Sequence, residues 1–421
     1  MNKAEISAPL AGVRVIDMAS VLMGPVATQI LGDYGADVIK IESPGGDVMR
    51  HAGAARNSRM GAMHLATGRN KRSVVLDVKK PEGRAALLRL CQTADLFIHN
   101  VRPAAMCRAG LSYGDVQAVN SSIIYMALVG FGQDGLYADR TALDDIIQAA
   151  SGLSGLFVRA GQPEPGFVPA NLCDRLTGIA AAHAAIAALY MRTQTGLGQS
   201  IEVPMYETLV QTILGDHLNG ETFVPSTEGL GYNRLLNVHR GPFRAEDGYI
   251  AVTPYNDRQF RAFFHAIGRA AEFDADDRIN RHASRARNYE FAYARLAEII
   301  ATRSVAEWTA LCGEHAIPCQ KVNAIEDVLD DAHLRTIGFF QEFEHPTEGR
   351  IRQMRPAARW SAADVSVRRL APRLGEHSVQ VLREAGFSEA EIDDMLQTGA
   401  TAQAAAMSHS SDAVERQHRN A

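Results

Sequence analysis

The regular alternation of short apolar strand-like runs with helical runs through the first half of the chain constrains the fold more than any other feature. Val13 to Met18 reads as a short buried strand. Gly24 and Pro25 follow, and Val26 to Tyr34 reads as a helix with proline near its first position, where the missing N–H would be unpaired anyway. Ala36 to Glu42 (ADVIKIE) is a second strand. This β-α-β spacing predicts parallel strands joined by a right-handed crossover. The pattern repeats with a strand at Ser73 to Val78, a helix at Glu82 to Cys91 and strands at Asp95 to Asn100 and Ile123 to Leu128. The turn-rich GFGQDG (Gly130 to Gly135) ends the last strand, and Leu143 to Ala150 reads as a helix. Such alternation predicts an α/β sheet covered on both faces.

A chain of 421 residues is expected to form two or more units. The large unit should run to about residue 218. The polar, glycine-rich stretch NGETFVPSTEGLGYN then opens a linker over 219–240. A small α+β domain is expected over 241–330. It would contain a strand at Tyr249 to Pro254, helices at Asp257 to Ile267 and Tyr289 to Ala301, and a strand at Ile317 to Val322. Ser304 and Glu307 have the spacing of a capping box. A second linker and the C-terminal part of the large domain would occupy 331–398, with two short helices separated by Gly386. Residues 399–421 are small, polar and poor in aromatics, which predicts a disordered tail.

Apolar residues make up 46% of the chain and charged residues 22%, as in ordinary globular proteins. A net charge of −5 argues against a nucleic-acid or anionic-membrane partner. No transmembrane helix and no signal peptide are expected. The five cysteines are scattered with no C-x-x-C pair, which points to a reduced, cytoplasmic protein without structural zinc. None of the 14 histidines has a metal-ligand spacing, and no metal is expected.

One carboxylate has a special position. Asp174 stands where an alanine-rich helical run opens, which closes at Gly196 and Gly198 before a strand at Ser200 to Met205. Unpaired N–H groups and the helix dipole favour negative charge there. Asp174 then reads either as a simple helix cap or as a nucleophile. The neighbouring Cys173 reads as a packed thiol, since the adjacent carboxylate disfavours a thiolate. The turn ASVLMGP after the first strand lacks G-x-G-x-x-G, so Glu42 is a weak candidate for a ribose-binding acid. There is no G-x-S-x-G elbow. Arg69, Lys71, Arg72, Lys79, Lys80, Asn100, Arg102 and Arg108 cluster around strand ends, where open α/β sheets collect ligands. They read as a site for a phosphorylated adenosine or as a solvated charge run.

Several stretches, taken in order and spacing, resemble the class III CoA-transferases. They are PLAGVRVIDM, GPVATQILGDYGADVIKIE, GRNKRSVVLDVKKPEG, ADLFIHNVRPAAMCRAGL, the GFGQDG turn, DRLTGIAAAHAAIAAL, TGLGQSIEVPM, IPCQKVN and PRLGEHSVQVL. The resemblance runs from about Pro9 to Leu396. It implies that Asp174 attacks an acyl-CoA thioester and carries CoA as an aspartyl thioester while the acids exchange. It implies CoA contacts at Leu22, at Leu76 to Lys79, at Asn100, Val101, Arg102 and Arg108, and at Met205, with a further pocket segment at Thr141 to Asp144. CoA would be a substrate, and no tightly bound cofactor is implied. The fold implied is a Rossmann-like large domain with a smaller inserted domain, in an interlocked homodimer whose active site lies at the dimer interface. Ser43 stands where the formyl-CoA enzymes of this family have an arginine, and their glycine-rich active-site loop has no clear counterpart around Gly229 to Arg240. Two rivals are an α-methylacyl-CoA racemase and a non-catalytic CoA-binding protein. The racemases carry a histidine in a Gly-His-Asp segment, and the matching segment here is Ala142-Leu143-Asp144, so the acid–base partner is missing.

Overall fold

The computed structural model describes residues 8–405. Its strands are β1 (Arg14–Asp17), β2 (Asp37–Glu42), β3 (Lys71–Leu76), β4 (Leu96–His99), β5 (Ile124–Val129), β6 (Gln199–Pro204), β7 (Phe243–Arg244), β8 (Tyr249–Val252), β9 (Cys319–Lys321), β10 (Phe340–His345), β11 (Gly349–Met354) and β12 (Thr401–Ala402). The chain divides into two compact units. One holds the residues up to Ala142, Asn171–Thr208 and those from Phe340 on; the other holds Leu143–Ala170 and Leu209–Phe339.

The large unit is built on one seven-stranded sheet in the order β12-β3-β2-β1-β4-β5-β6. The six strands from β1 to β6 are parallel, and their order is that of a doubly wound dinucleotide-binding sheet. The α/β, Rossmann-like fold read from the sequence is therefore present. Strands β4 and β5 are buried along their whole length, which is why they read as almost unbroken apolar runs; β3 is equally buried, with Lys71, Arg72 and Ser73 in its first half. Phe97, Leu87, Ile39, Val74 and Leu382 are among the residues of one core on this sheet.

The longest helix, Leu172–Thr195, packs against the helix Met23–Asp33. Its small residues explain the fit. A Cβ on Gly178 would lie 2.7 Å from the Met23 carbonyl oxygen and 2.9 Å from Val26, so only glycine lets the backbones approach this closely. Ala181, Ala182 and Ala185 continue the buried stripe at helical spacing. Gly196, left-handed at φ 71°, ends the helix. This helix is long and apolar enough, by length and composition, to cross a membrane, and 44% of its most apolar window is buried within the structure. The core helix of a soluble protein meets the same criterion, and the apolar run here is broken by Thr177, Gly178 and His183.

Two expectations change at the C-terminal end. Thr401–Ala402 form β12, antiparallel to β3, and the Thr401 hydroxyl donates to the Val75 carbonyl (2.7 Å). The tail expected to be disordered from 399 is thus ordered up to 405, and 406–421 lie outside the described residues. The β10–β11 hairpin falls in a stretch read only as linker.

The second unit has a three-stranded antiparallel sheet, β7-β8-β9, under short helices. Its core is aromatic, with Trp308 stacked on Phe263 (5.6 Å) among Phe260, Phe264 and Phe273. The expected capping box of Ser304 and Glu307 opens the helix Val305–Glu314.

Candidate active site

The carboxyl ends of the parallel strands place most of the candidate residues. Around the ends of β1, β2 and β3 lies a pocket of about 280 Å³, bordered by Ser20, Lys40, Ser43, Asp47, Leu76 and Lys79. Leu76 is the buried last residue of β3, and Lys79 is exposed in the turn that follows. Strand order reverses at β1, so the crevice beside it is where such sheets bind ligands.

The turn after β1 is held by buried charge. Val21 sits at φ 66°, a conformation that a β-branched residue rarely adopts. Asp47 accepts its N–H (3.1 Å), and the Lys40 ammonium bonds both the Ala19 carbonyl (2.8 Å) and Asp47 (2.9 Å). From the β4 side, Asn100 and Ser20 exchange two hydrogen bonds, of 2.9 and 2.8 Å. Leu22 is thereby fixed as the buried first flanking residue of the helix Met23–Asp33.

Strand register explains how these charges meet. Asp17 on β1 lies opposite Lys40 on β2, and Lys40 lies opposite Ser73 on β3. Asp17 also accepts from the Thr28 hydroxyl (2.6 Å) and the Lys71 ammonium (3.1 Å). Burial disfavours its carboxylate, and the Lys71 and Lys40 ammonium groups outweigh that and hold its pKa low. Glu42 takes two bonds of 2.7 Å from Arg50 and one of 2.6 Å from Ser73. Burial works to raise its pKa, but Arg50 and Lys40 hold it at about 2.

This network corrects two readings. Glu42 borders the pocket, but both its oxygens are already bonded, to Arg50, Ser73 and the Asp47 N–H. Arg69, Lys71 and Arg72 are no exposed phosphate cluster: they are buried, paired with Asp33, Asp17 and Asp37 respectively. The sequence reading missed Lys40 and Asp47 altogether. For Lys40 the signal was there, in Lys40 and Glu42 within an otherwise apolar run of the strand (VIKIE), which buried partners explain.

The other candidates fall as follows. Val101 is partly buried, and its carbonyl meets His99 Nδ1 at 3.1 Å. Arg102 is exposed at the start of the helix Pro103–Ala109 and donates to the Thr141 hydroxyl (2.9 Å); Arg108 is exposed in its last turn. Met205 is buried just beyond the carboxyl end of β6, where Tyr206 N–H meets the Gly130 carbonyl (3.0 Å). Asp144 belongs to the second unit, buried at the start of the helix Asp144–Ala150, and its carboxylate accepts from Gln148 (2.7 Å).

Asp174 is the third residue of the helix Leu172–Thr195; Asn171 holds the capping position. That helix leads into β6 and runs against the strands, so its first turn lies at their carboxyl edge. Asp174 sits one turn before Gly178 on the same helix face, and Gly178 abuts Met23, next to the Leu22 turn. Two different elements thus bring Asp174 and Leu22 to one edge of the sheet. Cys173 is fully buried, as expected for a packed thiol. Among the described residues no cluster of histidine, cysteine, aspartate and glutamate is arranged to hold a metal ion.

Comparison with known proteins identifies the family. The family model described as CoA-transferase family III matches residues 10–378. A succinate–glutarate CoA-transferase from Agrobacterium fabrum is 33% identical over 395 residues, which is 89% of this chain and 95% of that protein. The human succinyl-CoA:glutarate CoA-transferase is 30% identical, over 93% of this chain and 89% of its own length. Among solved structures, a CAIB/BAIF family protein from Brucella suis superimposes with a TM-score of 0.74 at 29% identity, covering 90% of this chain and all (100%) of that one. A hypothetical protein from Mycobacterium tuberculosis gives 0.75 at 27% identity, over 89% of this chain and 99% of its own. The chain belongs to CoA-transferase family III and is a class III CoA-transferase, acting between acyl-CoA thioesters and carboxylic acids.

Proposed function

We propose that Asp174 is the nucleophile and that the enzyme moves CoA from succinyl-CoA to a short dicarboxylic acid. The observation that carries this reading is the position of Asp174, in the first turn of a long helix at the carboxyl edge of the sheet and one turn from the contact with Met23. The Asp174 carboxylate attacks the thioester carbonyl, the C–S bond breaks, and a mixed anhydride and CoA thiolate result. The thiolate then attacks the aspartyl carbonyl, giving an aspartyl-CoA thioester and free succinate. The acceptor carboxylate attacks that thioester and the same steps run in reverse. Backbone N–H groups stabilise the oxyanions, and exclusion of water protects the anhydride. The donor and acceptor classes follow the names of the relatives, which include succinate–glutarate and succinyl-CoA–L-malate transferases.

CoA contacts are assigned to Leu22, Leu76, Lys79, Asn100, Val101, Arg102, Arg108 and Met205, with Asp144 in a further pocket segment. All of these except Asp144 lie in the large unit, and those of β1, β3 and β4 share the carboxyl edge of the sheet. We further infer an interlocked homodimer, in which the insert 241–330, the linker 219–240 and a second linker leading into the C-terminal part of the large domain within 331–398 let each chain thread through its partner. The dimer works in the cytoplasm, with no membrane or nucleic-acid partner. The exposed side of the long helix, with Ile179, Tyr190 and Met191, suits burial against a second copy.

The test is Asp174→Asn. Transfer from succinyl-CoA to glutarate should be lost while the fold and CoA binding persist. Hydroxylamine added with succinyl-CoA should inactivate the wild type and alter the mass of the peptide carrying residue 174. An active Asn variant, or an unmodified peptide, would refute the covalent route.

A further inference from the structure

The second unit contains a small, partly open cavity at the end of β8, of about 30 Å³, between the turn Thr253–Tyr255 and the helices Asp257–Ala266, His282–Arg287 and Tyr289–Ile300. That is room for about two waters, or for one carboxylate group. Its walls are apolar at Val252, Phe260 and Leu296, and no aspartate or glutamate lines it. The polar side chains facing it are those of Arg234, Arg285, His282, Thr253, Tyr289 and Tyr293.

The two arginines differ. Arg285 is committed to the structure. It is 2% exposed, donates to Asp257 (2.5 Å) and to the Ile279 carbonyl (2.7 Å), and lies over the Phe260 ring at 4.1 Å. Arg234 is partly buried, and its Nε donates to the Tyr293 hydroxyl (3.2 Å) while its guanidinium lies 5.5 Å from the centre of the Tyr255 ring. Among the described residues no carboxylate is within ion-pair reach of it. Burial pushes the Tyr289 phenol up to about 12, so its hydroxyl stays a donor at neutral pH.

We propose that this cavity is a carboxylate-binding site, in which Arg234 presents its two terminal nitrogens to the bound oxygens and Tyr293 holds the guanidinium in place. A guanidinium matches the two oxygens of a carboxylate in planar, bidentate fashion. The aromatic and apolar walls strengthen the interaction by keeping water out. A cation is opposed by Arg234, and the apolar walls at Val252, Phe260 and Leu296 suit the carbon chain of an organic acid. The carboxylate belongs either to the acid substrate of the transferase or to a free small acid that binds as an effector. The site rests on its own geometry and does not depend on the role given to Asp174.

The experiment is calorimetric titration of the full-length enzyme with succinate, inorganic phosphate and monomethyl succinate. Succinate should bind saturably. Arg234→Gln should weaken it at least tenfold, Arg234→Lys should recover part of that loss, and Tyr293→Phe should weaken it a few-fold. Asp174→Asn should leave it unchanged, which separates this site from the assigned nucleophile. In steady state, a raised KM for the acid in Arg234→Gln with kcat near wild type identifies the substrate acid as occupant. Lost binding with an unchanged KM identifies an effector site. Wild-type succinate affinity in a folded Arg234→Gln, or phosphate binding as tight as succinate, would overturn the proposal.

Discussion

The two units solve the problem of a stable interior in opposite ways. Beneath the pocket of the large unit, the sheet and the segment after β2 bury Asp17, Lys40, Glu42, Arg50 and Lys71, joined in ion pairs. The second unit packs Phe263, Phe264, Phe273 and Trp308 against one another. Apolar packing stabilises through area removed from water and tolerates some adjustment. Buried ion pairs add little net stability, yet each partner is costly to leave alone. The large unit has charge where a backbone turn must be held in a rare conformation, and the second has aromatic bulk where it must only be filled. The lesson is that buried charge marks a part of the molecule where position matters more than stability.

Five measurements test this contrast. The largest effect is expected from Lys71→Met, which strands the Asp17 carboxylate and should cost about 3–5 kcal/mol in urea unfolding. Asp17→Leu combined with Lys71→Met should recover most of that stability while activity stays low. A double variant as unstable as the single would break the comparison. Trp308→Ala should cost a similar 3–5 kcal/mol or so through the cavity left beside Phe263 and loss of the bond to the Ile300 carbonyl, and no apolar partner change should rescue it.

Acid should act on the large unit next. Burial keeps His64 neutral with its pKa near 3, and His99 and His377 near 4, against an ordinary 6.5. The unfolded chain therefore takes up these protons at higher pH than the folded one. Stability should be complete above pH 6.5 and fall as the pH drops toward 4, and Glu42 should extend the fall from pH 4.5 toward 2. Urea midpoints measured from pH 7.5 to 4.5 check this, and a flat profile would count against it. The smallest effect belongs to the exposed pair Arg383–Glu389, where Glu389→Gln should leave the midpoint unmoved.

Much of the large unit was legible because its strands are short apolar runs at regular spacing. Val13 to Met18 and Asp95 to Asn100 contain β1 and β4 within one or two residues. The charged partners were not legible, since Lys71 meets Asp17 across 54 residues of sequence and no local pattern announces such a pair. That is why Lys71 and Arg72 were read among surface cations. Asp174 was legible as a residue near a helix start, but its nearness to the Leu22 turn depends on how Gly178 packs, which is a tertiary fact. The segment 143–170 gave no sign that it belongs with 209–339, because its helices are short and only their contacts assign them.

The pairing of β12 with β3 has a consequence for how the protein is made. Strands β1 to β6 leave the ribosome within the first half of synthesis, yet β3 gains its outer neighbour only with residues 401–402. Arg50 likewise waits for the Pro372 carbonyl (3.1 Å), and Val75 for the Ser378 hydroxyl (3.0 Å). A nascent or truncated chain ending before residue 370 would thus expose a sheet edge and an incompletely satisfied guanidinium, which makes the last tenth of translation the moment at which the large unit first becomes able to close.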